Sequence, residues 1–243
     1  MHALIRPRIP SIDQFRGFAI LLMVLANYLA GVAWIPAWLK HAPDIGLTVI
    51  DLIAPFFIFS IGLTYALAIR RRAAQNGWRA AAWGTVLRYL AFGGLGFFLV
   101  SGEILLGQST NNLNWGVLQA IGAAGLLTLA IIRLPTWARA VAGLALLALY
   151  QFLLDRFWLE SVLAYPHGGL GWTAMLILAT TLADLFHTPR GGKARLLAGA
   201  TALLLLGIVL SAWLPVSKNR VSATYVLVSL GASGLLFLAF DLL

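Results

Sequence analysis

Runs of about twenty apolar residues recur along the whole chain. A bilayer core about 30 Å thick is crossed by about 20 consecutive apolar residues at a rise of 1.5 Å each. Eight such runs are read, over residues 17–35, 46–69, 82–100, 114–132, 137–155, 168–186, 195–214 and 221–242. Charged residues make up only 10% of the 243, and mean hydropathy is +0.90. A water-soluble domain carries about 25% charged residues. The fold class expected is therefore all-α, a polytopic transmembrane helical bundle of about eight spans. It forms a single membrane-embedded domain over residues 1–243, because each helix must pack on others to cover its polar groups.

The net charge of +9 points to the membrane rather than to nucleic acid, since the basic residues lie in short loops between apolar runs. With the N-terminus in the cytoplasm, thirteen Lys and Arg fall on the inner side, including Arg70, Arg71, Arg72, Arg133, Arg139 and Lys193. Only Lys40, Arg156, Lys218 and Arg220 fall outside. The positive-inside bias thus orients the chain and agrees with the span count. The nine Trp lie near span ends, where an amphipathic ring suits the headgroup layer. There is no cysteine, so disulfides and thiolate metal sites are excluded, and no metal is expected.

Polar residues inside this apolar background are the candidates for function, because ionisable groups at membrane depth are costly. They concentrate between Ser11 and Gly62. Asp13 and Arg16 stand three apart at the entry of the first run and pair on one helix face, with Ser11 or Asp13 offering a cap oxygen. Asn27 lies about 16 Å farther along. It is either interhelical glue or a donor to a developing oxyanion. His41 sits in the following loop with carboxylates at Asp44 and Asp51, and an imidazole with an ordinary pKa of about 6.5 suits proton transfer. Pro55 is expected to bend the second span. Gln119 lies within the fourth span, and Glu103 and His167 lie toward the outer side. His187, beside Asp184 at an inner helix end, reads as solvated. The triple arginine at Arg70–Arg72 reads as a membrane anchor or as a holder of phosphates.

These residues carry a family resemblance. SIDQFRGFAILLMVLANY followed by KHAPDIGLTVIDLIAPFFIFSIG resembles the catalytic domain of heparan-α-glucosaminide N-acetyltransferase and its bacterial relatives. The family pattern falls on Ser11, Asp13, Phe15, Arg16, Gly17, Asn27, His41, Gly46, Thr48, Asp51, Pro55, Phe57, Phe59 and Gly62. GVLQAIG at Gly116–Gly122 and PVSKNRVSATYVL at Pro215–Leu227 are weaker echoes, with Ala120, Ser217 and Val221 departing from the pattern.

The resemblance implies transfer of an acetyl group from acetyl-CoA in the cytoplasm to an amine or hydroxyl of an extracytoplasmic saccharide. It implies His41 as base or acyl carrier, with Asn27 at the site and Asp51 or Asp44 orienting the ring. Arg16, Asp13, Gln119 and Lys218 are the candidate contacts to the donor. The expected setting is a bacterial inner membrane, with the lipid bilayer and a saccharide acceptor as partners and a homodimer left open. Members usually carry further helices, so the chain reads as a short or C-terminally shortened member. The rival reading is a transporter using the same polar cavity; it would show internal repeats and paired discontinuous helices, and neither is evident.

Overall fold

Pro10 opens the first helix, where its fixed φ is favourable and its missing N–H is not needed. This helix, α1 (Pro10–Leu29), begins a computed structural model that describes residues 9–29, 32, 34–107, 116–159 and 168–243. The described residues form helices and loops with no strand. His2, His167 and the side chain of Glu103 lie outside the described residues. After α1 come α2 (Ile53–Leu105), α3 (Val117–Ile131) and α4 (Thr136–Leu153), the last prolonged by a π turn at Leu154–Trp158. Then follow α5 (Gly169–Phe186), α6 (Gly192–Leu210) and α7 (Ala223–Leu242).

Six of the helices are long and apolar enough to cross a membrane, and α3, at 15 residues, is shorter. The chain is an integral, multi-pass membrane protein. Two runs expected as separate spans, 46–69 and 82–100, are joined in the 53-residue α2. At 1.5 Å per residue a straight helix of that length would run about 80 Å, far more than a bilayer needs. It doubles back at Gly77, whose φ of 81° and ψ of 160° break the helix. A side chain at that φ is strained, and glycine is not. The reversal stacks Tyr65 of the first arm on Tyr89 of the second, with ring centroids 5.5 Å apart.

Helix α5 is the axis of the bundle. It packs against α2, α3, α4, α6 and α7 and is buried along most of its length. Beside it, Phe15 of α1 meets Phe56, Phe59, Phe237 and Phe240 edge-on, with centroids 5.7–5.9 Å apart. This aromatic knot ties α1 to α2 and α7, and edge-on pairs add stabilisation beyond the area they bury. The outer faces of α1 and α6 present Leu21, Val24, Ile208 and Val209 outward, as expected of surfaces solvated by lipid tails.

Close approach of α2 to α5 depends on Gly62. A Cβ there would lie 2.5 Å from the Ala179 Cβ and 2.9 Å from its carbonyl carbon. Gly62→Ala is therefore expected to cost about 1–3 kcal/mol through overpacking. Gly17→Ala, where nothing lies within 4 Å, should be neutral. Thermal unfolding in detergent compares the two, and an equal effect would contradict the packing argument.

Two sequence expectations are corrected by the helix starts. Ser11 does not cap α1: its hydroxyl donates to Asp241 Oδ1 at 2.6 Å, tying α1 to the end of α7. Pro55 does not bend the second span. It falls in the first turn of α2, where an N–H would have no intrahelical partner.

Candidate functional site

The segment from His41 to Asp51 folds around one carboxylate. Asp51 is fully buried, in a short 3-10 turn (Ile50–Leu52) that leads into α2. Its Oδ2 accepts from the Ala42 N–H at 3.2 Å, the Thr48 N–H at 3.0 Å and the Thr48 hydroxyl at 3.0 Å. The T-x-x-D spacing explains part of this, since it is that of a capping box, whose acidic side chain reaches back three residues to a backbone N–H. Oδ1 is then directed at the imidazole, and His41 Nδ1 lies 2.7 Å from it. An ionised carboxylate has no proton to give, so Nδ1 carries the hydrogen and Nε2 is left as the acceptor.

A second loop closes over the first. Ser222 caps α7, its hydroxyl accepting from the N–H groups of Tyr225 at 3.3 Å and Ser217 at 3.0 Å. The Gly46 N–H donates to the Val216 carbonyl at 2.8 Å, and Asn219 Nδ2 donates to the Pro43 carbonyl at 2.7 Å. Asp44 does not orient His41, as one of the two sequence alternatives had it. It accepts from Ser217 Oγ at 2.9 Å and from Arg220 Nε at 3.0 Å, with Arg220 Nη2 also in contact. The Arg220 hydrogen bond holds the Asp44 carboxyl below its usual range, and Asp44 in turn raises the Arg220 guanidinium.

This clasp delivers Lys218 to the dyad. Lys218 Nζ lies 2.9 Å from His41 Nδ1, 3.3 Å from Nε2 and 3.8 Å from Asp51 Oδ1. So close to both ring nitrogens, Nζ lies over the ring face, out of the in-plane position at Nδ1 that Asp51 Oδ1 takes. Lys218 therefore serves as a positive charge beside the ring. Burial lowers its ammonium pKa, and the charge of Asp51 opposes that.

Asp51 is also fixed through its backbone, because the buried Tyr225 hydroxyl donates to the Asp51 carbonyl at 2.7 Å. The sequence reading missed Tyr225 and Arg220. Neither residue carries a local signal, since each acts on a loop some 170 positions earlier.

Asn27, His41, Gln119 and Lys218 all line one cavity of about 480 Å³ between α1, both arms of α2 and the start of α3. Its walls are otherwise largely apolar, including Met23, Ile53, Phe57 and Leu99. Size and composition are those of a small-molecule site, apolar with a few convergent polar groups. Asn27 makes no side-chain hydrogen bond among the described residues. Gln119 is buried, and its Oε1 accepts from the Gly116 N–H at 3.0 Å, which fixes the start of α3 at the cavity wall.

Arg16 and Asp13 are not part of this cavity. They pair at 3.6 Å near the other end of α1, where Arg16 Nη2 also donates to Thr64 Oγ1 at 3.3 Å. His187 is not merely solvated: its Nε2 lies 2.9 Å from the Leu63 carbonyl and donates to it.

A family model described as "Heparan-alpha-glucosaminide N-acetyltransferase, catalytic" matches residues 8–171, which include Asn27, His41, Asp51 and Gln119 but not Lys218. The chain is similar to human heparan-alpha-glucosaminide N-acetyltransferase, with 46% identity over 63 residues, 26% of this chain and 9% of that protein. It is similar to the mouse protein of the same name, with 32% identity over 122 residues, 47% of this chain and 18% of that protein. These matches span less than a fifth of the length of either relative. With about two thirds of its length matched by the family model and the dyad inside that match, the chain belongs to the heparan-alpha-glucosaminide N-acetyltransferase catalytic family.

Proposed function

We propose that this chain is a transmembrane acyltransferase. It moves an acetyl or other small acyl group from cytoplasmic acetyl-CoA to an amine or hydroxyl of an extracytoplasmic saccharide. The observation that carries the reading is the buried Asp51 holding His41 at the edge of a cavity that Asn27 also lines. Family membership supports the reaction class. The loop charges support eight spans with the N-terminus in the cytoplasm, the two arms of α2 and the short α3 each taking one crossing. The proposal sets the chain in a bacterial inner membrane.

The chemistry follows from the dyad. His41 Nε2 accepts the proton of the acceptor amine or hydroxyl as that atom attacks the thioester carbonyl. A C–N or C–O bond forms, and the carbonyl oxygen becomes an oxyanion. The Asn27 amide donates to that oxygen, and Lys218 adds positive charge. The C–S bond then breaks, and His41 returns its proton to the departing thiolate. Asp51 stays ionised throughout and stabilises the imidazolium that forms.

Purified protein supplied with radiolabelled acetyl-CoA and a panel of aminosugars tests this. His41→Ala is expected to lower coenzyme A release by about 100- to 10,000-fold, the span of general acid–base contributions. Equal release from both proteins would sink the mechanism. Saturable uptake of label into proteoliposomes without release would favour a transporter. An acyl-enzyme burst in the absence of acceptor would assign His41 the carrier role instead.

A further inference from the structure

A second cavity, of about 300 Å³, lies at the turn of the α2 hairpin. It is lined by Ile69, Arg70, Ala73, Trp78, Ile132 and Arg133. None of these residues lines the cavity that holds His41. Arg133 is set over the Trp78 ring, its guanidinium carbon 5.0 Å from the centroid, an arrangement that pre-orders the side chain. Arg70 lies 3.8 Å from Asp184. That carboxylate, however, is already engaged by the fully buried Arg139 and by the Thr136 hydroxyl at 2.7 Å. Among the described residues Asp184 is the one acidic group in ion-pair reach of Arg70 and Arg139, and Arg133 has none. Two guanidinium groups thus share one carboxylate while that of Arg133 has none, and the excess positive charge faces the cavity through Arg70 and Arg133.

The rest of the lining is apolar, from Ile69, Ala73 and Ile132. An occupant must therefore be anionic at one end and hydrocarbon at the other. Arginine is suited to a phosphate oxyanion because its donors form a planar fork. The volume of about 300 Å³ is enough for a phosphoglycerol group. Basic pockets between membrane helices are known to seat anionic headgroups. We propose that this cavity binds an anionic phospholipid, its phosphate held between Arg70 and Arg133 and its glycerol and upper acyl carbons against Ile69, Ala73 and Ile132. The site is separate from the proposed catalytic one and stands whether or not the acyltransferase reading holds.

Native mass spectrometry of the full chain, released from micelles containing phosphatidylglycerol or phosphatidylcholine, tests the proposal. Phosphatidylglycerol should be retained at least tenfold more than phosphatidylcholine. The double variant Arg70→Gln/Arg133→Gln should lose that preference. Arg190→Gln/Arg195→Gln, which removes the same charge away from the cavity, should keep it. Ala73→Leu fills the cavity without altering charge and should also abolish retention, so the test survives if the double arginine variant folds poorly. Equal loss in both arginine pairs would overturn the site in favour of general charge attraction. Retention unchanged by Ala73→Leu would overturn it as well. A soluble arm uses 3′,5′-adenosine diphosphate as the probe. Displacement of lipid by that nucleotide, with the nucleotide itself lost in the Arg70/Arg133 variant, would assign the cavity to a soluble phosphate and overturn the lipid.

Discussion

Asp51→Asn is expected to lower acyl transfer by about 1,000- to 10,000-fold while leaving the protein folded. The argument rests on which atoms surround the carboxylate. Its Oδ2 receives two backbone N–H groups and one hydroxyl, from Ala42 and Thr48. An asparagine must turn its carbonyl oxygen toward those donors, since an amide NH₂ there would face two backbone hydrogens. Its NH₂ then points at His41 Nδ1, which must give up its hydrogen and accept. The proton moves to Nε2, and the base is lost from the atom that meets the acceptor. The loop keeps its hydrogen bonds, so thermal stability should change little. Steady-state transfer rates, with melting curves as the control, check this. A rate within tenfold of the native protein would mean that the tautomer of His41 does not matter.

The second large effect concerns stability at the opposite end of the bundle. Arg139 is fully buried, with Nη1 donating to Thr180 Oγ1 at 2.7 Å, Nε donating to the Leu134 carbonyl at 3.2 Å and Nη2 against Asp184. Asp184→Ala leaves that guanidinium without its counter-ion in an apolar surround. Breaking a buried pair in this way costs about 3–5 kcal/mol. Arg139→Met should cost less, because Asp184 keeps the Thr136 hydroxyl and lies within 3.8 Å of Arg70. The double variant Arg139→Met/Asp184→Leu should recover much of the loss, as apolar replacements of buried pairs often do. Unfolding in mixed micelles measures all three. Equal costs for the two single variants would show that Arg139 is hydrated in the folded protein.

The helical architecture was legible in the sequence because hydropathy reports spans directly. The dyad was half legible. A carboxylate in GLTVIDLIAPFF marked Asp51, but spacing did not decide whether it or Asp44 would meet His41. That choice is made by Arg220 and Ser217, which draw Asp44 away from a position 176 and 173 residues distant. Lys218 and Gln119 line the cavity with His41, whereas Arg16 and Asp13 stand at the other end of α1, the inner end to which the loop charges assign them. The division between the second and third spans was read as a loop because of its charge. Yet RRRAAQ is a run of good helix formers, and helix persists until Gly77. Arg139 was counted as a loop charge. Its burial depends on a partner 45 residues away, and hydropathy carries no sign of that.

The two loops that close on the dyad are made far apart in time. His41 and Lys218 are separated by 177 positions. At 5–20 residues per second a ribosome needs roughly 10–35 s to pass from one to the other. Throughout that interval Asp51 has left the ribosome without Lys218 or Tyr225. Its bonds to Ala42 and Thr48 come from the same short segment and need nothing made later. The carboxylate can therefore enter the bilayer already satisfied by its own neighbours. Biogenesis brings the lysine long after the dyad is made, so that the site is assembled only when α7 follows.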